Sequence, residues 1–174
     1  MANADSNTNA RPEFTLPDHT PGTTLTALMA TPLGARHDLF QVLEGCQRYA
    51  DELIEIHDIT ARMALCGRLL AGMEVMRELL NTPLPPHLIA RLTVEDAQEL
   101  PGLIACDSET LREYCAALIL ILLNHQESPE QEKMIIGVLY ELIDLLAHDL
   151  KAPRFLRTPT GLVTLEGEPL PQVH

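Results

Sequence analysis

Nine consecutive apolar residues, Cys115-Ala116-Ala117-Leu118-Ile119-Leu120-Ile121-Leu122-Leu123, interrupt an otherwise acidic chain. Folded as a helix, this run is hydrophobic all the way round, and such a helix has to be buried on every side. At 1.5 Å per residue it spans about 14 Å, roughly half a bilayer core, so it does not read as a membrane span. It is expected at the centre of a core, or covered partly by its own domain and partly by another chain.

The rest of the composition agrees with a packed helical core. Apolar residues make up 46% of the chain and aromatics only 3%, so the interior has to be built from Leu, Ile, Val, Ala and Met. That palette favours helices over sheets, and 174 residues fit one domain. A net charge of −13 argues against nucleic acid as a partner, because phosphate backbones need a basic surface. It suits a basic protein partner instead. Met1-Ala2-Asn3-Ala4-Asp5 carries neither the basic patch nor the apolar stretch of a signal peptide. Cys46, Cys66, Cys106 and Cys115 lack metal or disulfide-scaffold spacing, so free thiols and a cytoplasmic location are expected, with no membrane contact.

Three regions follow from the punctuation. Residues 1–34 carry Pro12, Pro17, Pro21 and Pro32 and read as a flexible arm, with one helical turn around Leu25 to Ala30 and with Phe14 and Leu16 placed to pin it down. Residues 35–150 read as a helical bundle. Residues 151–174 form a tail in which Phe155-Leu156-Arg157-Thr158 and Leu162-Val163-Thr164-Leu165 flank Pro159-Thr160-Gly161, a hairpin pattern with a three-residue loop.

Within the bundle, Leu39, Leu43, Cys46, Ala50, Leu53 and His57 make one helical seam, and Ile59, Met63, Cys66, Leu70 and Met73 a second, out of phase with the first. Two helices are expected, over about 36–57 and 60–81, folded as an antiparallel pair; one long bent helix is the alternative. Thr82-Pro83-Leu84-Pro85-Pro86 ends the second, and short helical pieces follow over 87–105. Asp107-Ser108 opens a helix of about 109–126. Ser128-Pro129-Glu130-Gln131 gives a capping box with Pro in the first turn, opening a last helix to about Leu150. Its broad apolar face is Ile135, Val138, Leu139, Leu142, Leu145 and Leu146. The fold class is therefore all-α, a four-helix-type bundle with a short helical insert and irregular terminal arms.

Catalytic chemistry finds little support. A di-iron bundle needs Glu three residues before an inward His, and no His of the bundle has a carboxylate there. Asp144 and His148 share a helix face at i, i+4, a spacing that a surface ion pair explains equally well. Ser108 and Ser128 are accounted for as helix caps. Cys46 or Cys66 with His57 is the remaining nucleophile–base combination, and buried structural thiols account for both cysteines. A helix-turn-helix over 94–123 would offer Arg112 alone against Asp107, Glu109 and Glu113, the wrong charge for reading DNA. No catalytic residue, cofactor or metal site is expected.

The chemistry that remains is docking. Asp51, Glu52, Glu55 and Asp58 cluster at the carboxyl end of a helix, where negative charge opposes the helix dipole. Lys151, Arg154 and Arg157 form an opposite patch that could dock on that cluster. Leu120 and Leu123 lie opposite the stripe of Leu111, Cys115, Leu118 and Leu122, and Ile136, Leu139 and Ile143 repeat behind the last helix's main face. The expected function is a non-enzymatic intracellular interaction module: a regulator, adaptor or chaperone-like inhibitor that sequesters a protein partner. Docking would use Leu120, Leu123, Ile136, Leu139 and Ile143, steered by the four carboxylates. A homodimer is also expected. The alternative is a small-molecule or lipid carrier with a pocket lined by Leu118, Leu122, Leu142 and Leu146.

Overall fold

A computed structural model describes residues 21–30, 34, 37–96, 98, 107–159, 161–164 and 167–168. Among these, four long helices are set by local chemistry. Helix α2 (Leu39–Glu55) opens on a capping box in which Gln41 N–H donates to Asp38 and Asp38 N–H donates to the Gln41 side chain, both at 2.9 Å. Asp58 caps α3 (Ile59–Leu80) by accepting from Ala61 N–H at 2.8 Å. Asp107 does the same for α5 (Ser108–Asn124) through Thr110, and Ser128 with Gln131 makes the expected box on α6 (Pro129–Lys151). Each cap satisfies an amide that would otherwise lack a partner.

The chain between 36 and 81 is thus two helices, parted at Ile56 to Asp58. Successive long helices pack α2 on α3, α3 on α5, α5 on α6, and α6 back on α2. The result is a closed square in which α3 and α6 face each other across a diagonal. At one end of that diagonal Arg62 Nη1 meets Glu132 Oε2 at 2.5 Å, both side chains nearly buried. Arg62 also donates to the Ile56 carbonyl at 3.3 Å, and His125 Nδ1 lies 3.9 Å from Glu132 Oε1. One ion pair therefore ties together the α2–α3 and α5–α6 turns.

Smaller elements attach to this square. Helix α1 (Pro21–Ala30) packs Leu25, Leu28 and Met29 on the core, and its carbonyls accept from Tyr49 Oη at 3.3 Å (Leu28) and from Arg68 at 2.7 Å (Met29). The arm thus ends in a docked helix longer than the single turn expected; Phe14 and Leu16 lie outside the described residues. Helix α4 (Pro86–Arg91) leads into β1 (Thr93–Val94), which pairs in parallel with β2 (Phe155–Thr158) in the register Thr93↔Phe155. The tail hairpin is present: β2 pairs antiparallel with β3 (Gly161–Thr164), and Thr158↔Gly161 is the last pair. That register leaves two residues in the loop rather than three. Gly161 takes φ +132°, which only glycine adopts without strain. Of the short helical pieces expected over 87–105, α4 covers the start, and residues 97 and 99–105 fall outside the described residues.

The core corrects two expectations. Helix α5 is not the central core helix, one of the two expectations for it, since its own domain covers it only in part: Leu111, Cys115, Ile119 and Leu122 are interior, whereas Ala117, Leu120 and Ile121 face outward. On α6 the buried row is Ile136, Leu139, Ile143 and Leu146, while Val138 and Leu145, read from the sequence as part of the helix's broad apolar face, are exposed. The reason is geometric. A corner helix of a square bundle touches two neighbours and the centre, which leaves its outer third without cover.

A candidate protein-docking face

Placement of the sequence-derived docking residues divides them. Ile136, Leu139 and Ile143 are interior and pack the bundle, so they present no open face. Leu123 is half-buried and Leu120 is half exposed; both lie on the α5 edge opposite Tyr114 and Ile121. The four carboxylates have different surroundings. Asp58 is engaged as the α3 cap, and Asp51 lines a small groove with Gln47, Tyr140 and Asp144 between α2 and α6. Glu55 is exposed at the end of α2 and Glu52 is half-buried. They sit at the α2–α3 turn and do not ring the α5–α6 surface. Nor do the tail cations dock on them: Lys151 bonds Gln47, Arg154 bonds Asp149 and Ser108, and Arg157 bonds Glu95.

A different set of residues makes the most open apolar surface. On α6, Ile135, Leu142 and Asp149 repeat at i, i+7, i+14, and Asp149 accepts from Ser108 Oγ of α5, so this row faces α5. Val138 and Leu145 flank it, three and four residues away. On α5, Tyr114, Leu118 and Ile121 repeat at i, i+4, i+7 beside the exposed Ala117. Tyr114 is 54% exposed, Val138 52% and Met134 71%. These residues form the outer side of the α5–α6 hairpin, and large apolar groups gathered this way mark contact surfaces more often than scattered ones do. Glu130 and Glu141 are exposed beside it on α6, while Glu113 of α5 lies in the Leu120 row and reaches Arg112.

The sequence held a partial signal for this face. Met134, Val138 and Leu145 are spaced at i, i+4, i+11, but an equally apolar row runs behind them, and composition alone cannot say which row turns outward.

The remaining candidates are less suited to chemistry. Burial pushes the Cys46 and Cys115 thiols up to about 12 and the Cys66 thiol up to about 11, so all three stay protonated near neutral pH and are poor nucleophiles. His57 is exposed at the α2–α3 turn. Asp144 and His148 line a shallow surface cavity of about 450 Å³ with Gln47, Lys151 and Pro153. Among the described residues no group of three or more His, Cys, Asp or Glu is placed to hold a metal ion. None of the described helices is long and apolar enough to cross a membrane. Arg112, the cation a DNA-reading helix would need, is buried and reaches only Glu113 at 3.5 Å among its described ion pairs. Leu122 and Leu146, offered as carrier-pocket walls, are core residues, and Leu118 and Leu142 pack half-buried against them.

Comparison with protein-family models, with curated proteins and with solved structures finds no match to this chain.

Proposed function

We propose that this protein is a non-enzymatic helical interaction module of the cytoplasm, a regulator or chaperone-like inhibitor that sequesters a protein partner. The observation that carries this reading is the outward row of Tyr114, Ile121, Met134, Val138 and Leu145, apolar groups left in water by a bundle whose core is otherwise closed. Buried aliphatic side chains supply a rigid platform, and the open row supplies apolar area for a partner to cover. The acidic balance of the chain steers basic partners toward it and keeps the free protein soluble.

Affinity capture from the source cells, at low and high salt and followed by native mass measurement, tests this. The expected result is one protein retained at fixed stoichiometry, released by high salt, and lost when Val138→Ser and Leu145→Ser are combined. Equal retention by that double variant, or no stoichiometric protein, counts against the reading.

A further inference from the structure

Two antiparallel helix pairs form the square, and they differ in what lies on their outer sides. The α2–α3 pair carries α1. That helix lays Leu25, Leu28 and Met29, at i, i+3 and i+4, on the core, and Tyr49 and Arg68 hold its carbonyls. The α5–α6 pair offers a comparable seam: Tyr114, Leu118 and Ile121 from one helix, Ile135, Val138, Leu142 and Leu145 from the other. Among the described residues no helix takes α1's place there.

Charge narrows the occupant. Glu109, Glu113, Glu130, Glu141 and Asp144 are exposed on α5 and α6, against Lys133 and Lys151. Lys151 is engaged with Gln47, and Lys133 shares a row with Tyr140, which faces α2. Glu113 lies in the row of Leu120 and pairs with Arg112 at 3.5 Å, whereas Glu130 and Glu141 border the seam on α6, next to Met134, Val138 and Leu145, with no cation among their described ion pairs. A second copy placed face to face would bring these carboxylates of both copies together, and like charges at a contact are costly. A basic partner meets no such penalty.

We propose that the α5–α6 outer face binds a basic amphipathic helix from a partner protein, in the position that α1 holds on the α2–α3 pair. This rests on the protein-docking reading above and specifies its partner. Apolar residues at i, i+3, i+4 and i+7 of the incoming helix fill the seam between Tyr114, Ile121, Val138 and Leu145. Its Lys or Arg residues pair with Glu130 and Glu141 at the rim. Rim pairs of this kind act on association rate and salt dependence more than on dissociation.

The probe is a labelled model helix of about five turns with Leu on one face and Lys on the other, beside a counterpart in which every Lys is Glu. Fluorescence anisotropy with the full chain reads binding at low and high salt. The Lys peptide is expected to bind and the Glu peptide to fail. Val138→Ser with Leu145→Ser should weaken the Lys peptide by about tenfold or more. Glu130→Gln with Glu141→Gln should flatten the salt dependence, and Ile54→Ser, an exposed apolar site at the end of α2, should change nothing. Unchanged binding by either double variant, or equal binding of the two peptides, overturns the proposal. A wild-type chain that self-associates through Val138 and Leu145 assigns the face to a second copy; that overturns this inference and leaves the docking reading standing. A chain that binds neither peptide, does not self-associate and captures no partner ends both.

Discussion

The two helix pairs of the bundle are built alike inside and differently outside. Each contributes a buried row of aliphatic residues to one core, and each is closed by a short turn. The α2–α3 pair, however, is held by α1 and by α4, whose His87 bonds Asp38 at 2.8 Å. Its large exposed apolar residues are Ile54 and Ile59, near the turn. The α5–α6 pair keeps Tyr114, Leu120, Ile121, Met134, Val138 and Leu145 in water. Apolar content does not explain the difference, since both pairs are rich in Leu and Ile. What differs is cover. An apolar helix row in this chain is core, covered surface or open face according to what the rest of the chain brings to it.

The largest test of this contrast is at the pair that joins the two halves. Glu132→Ala leaves Arg62 nearly buried without its partner, and a loss of about 3–5 kcal/mol is expected in urea unfolding. Next come neighbouring residues of one helix. Leu139→Ala, inside, should cost about 2–5 kcal/mol, while Val138→Ala, outside, should cost less than about 0.5 kcal/mol. Similar losses at the two positions would break the contrast.

A smaller effect sharpens the covered side. Tyr49→Phe removes the hydroxyl that holds the Leu28 carbonyl, and a loss of about 1 kcal/mol is expected, with faster amide exchange in α1. The smallest is a pH effect at the α4 contact. Burial alone would raise the Asp38 carboxyl, but the His87 hydrogen bond and charge, with the amides of Gln41 and Phe40, hold it below its ordinary 3.8. A lowered carboxyl stabilises the fold above its unfolded value and loses that contribution as pH falls through the folded one. Urea midpoints measured from about pH 5 down to about pH 2 should therefore fall less steeply in Asp38→Asn than in the parent.

Helix limits were legible because capping is local chemistry: Asp58, Asp107 and Ser128-Pro129 with Gln131 announce helix starts within four residues. Which row of α6 turns inward was not. Ile135, Val138, Leu142 and Leu145 are as apolar as Ile136, Leu139, Ile143 and Leu146, so hydropathy has no preferred phase, and contact with α2 and α5 makes the choice. Glu132 belongs to the buried row, and its partner lies 70 residues away at Arg62. The pairing of Thr93-Val94 with Phe155-Leu156 is likewise remote and carries no local signal. The acidic cluster was legible as residues but not as a site, because one of its carboxylates caps a helix and another faces α6.

The most direct measurement is alkylation of a thiol placed on the open face. In a Cys106→Ser background the native Cys46, Cys66 and Cys115 are buried and slow to react, so a Val138→Cys signal stands clear of them. It should label rapidly in the free protein and become protected when the Leu/Lys helix is bound, whereas Ala71→Cys, exposed on α3, should label equally in both states. Slow labelling of Val138→Cys in the free protein, or labelling unchanged by the bound helix, would contradict an open docking face on α5–α6.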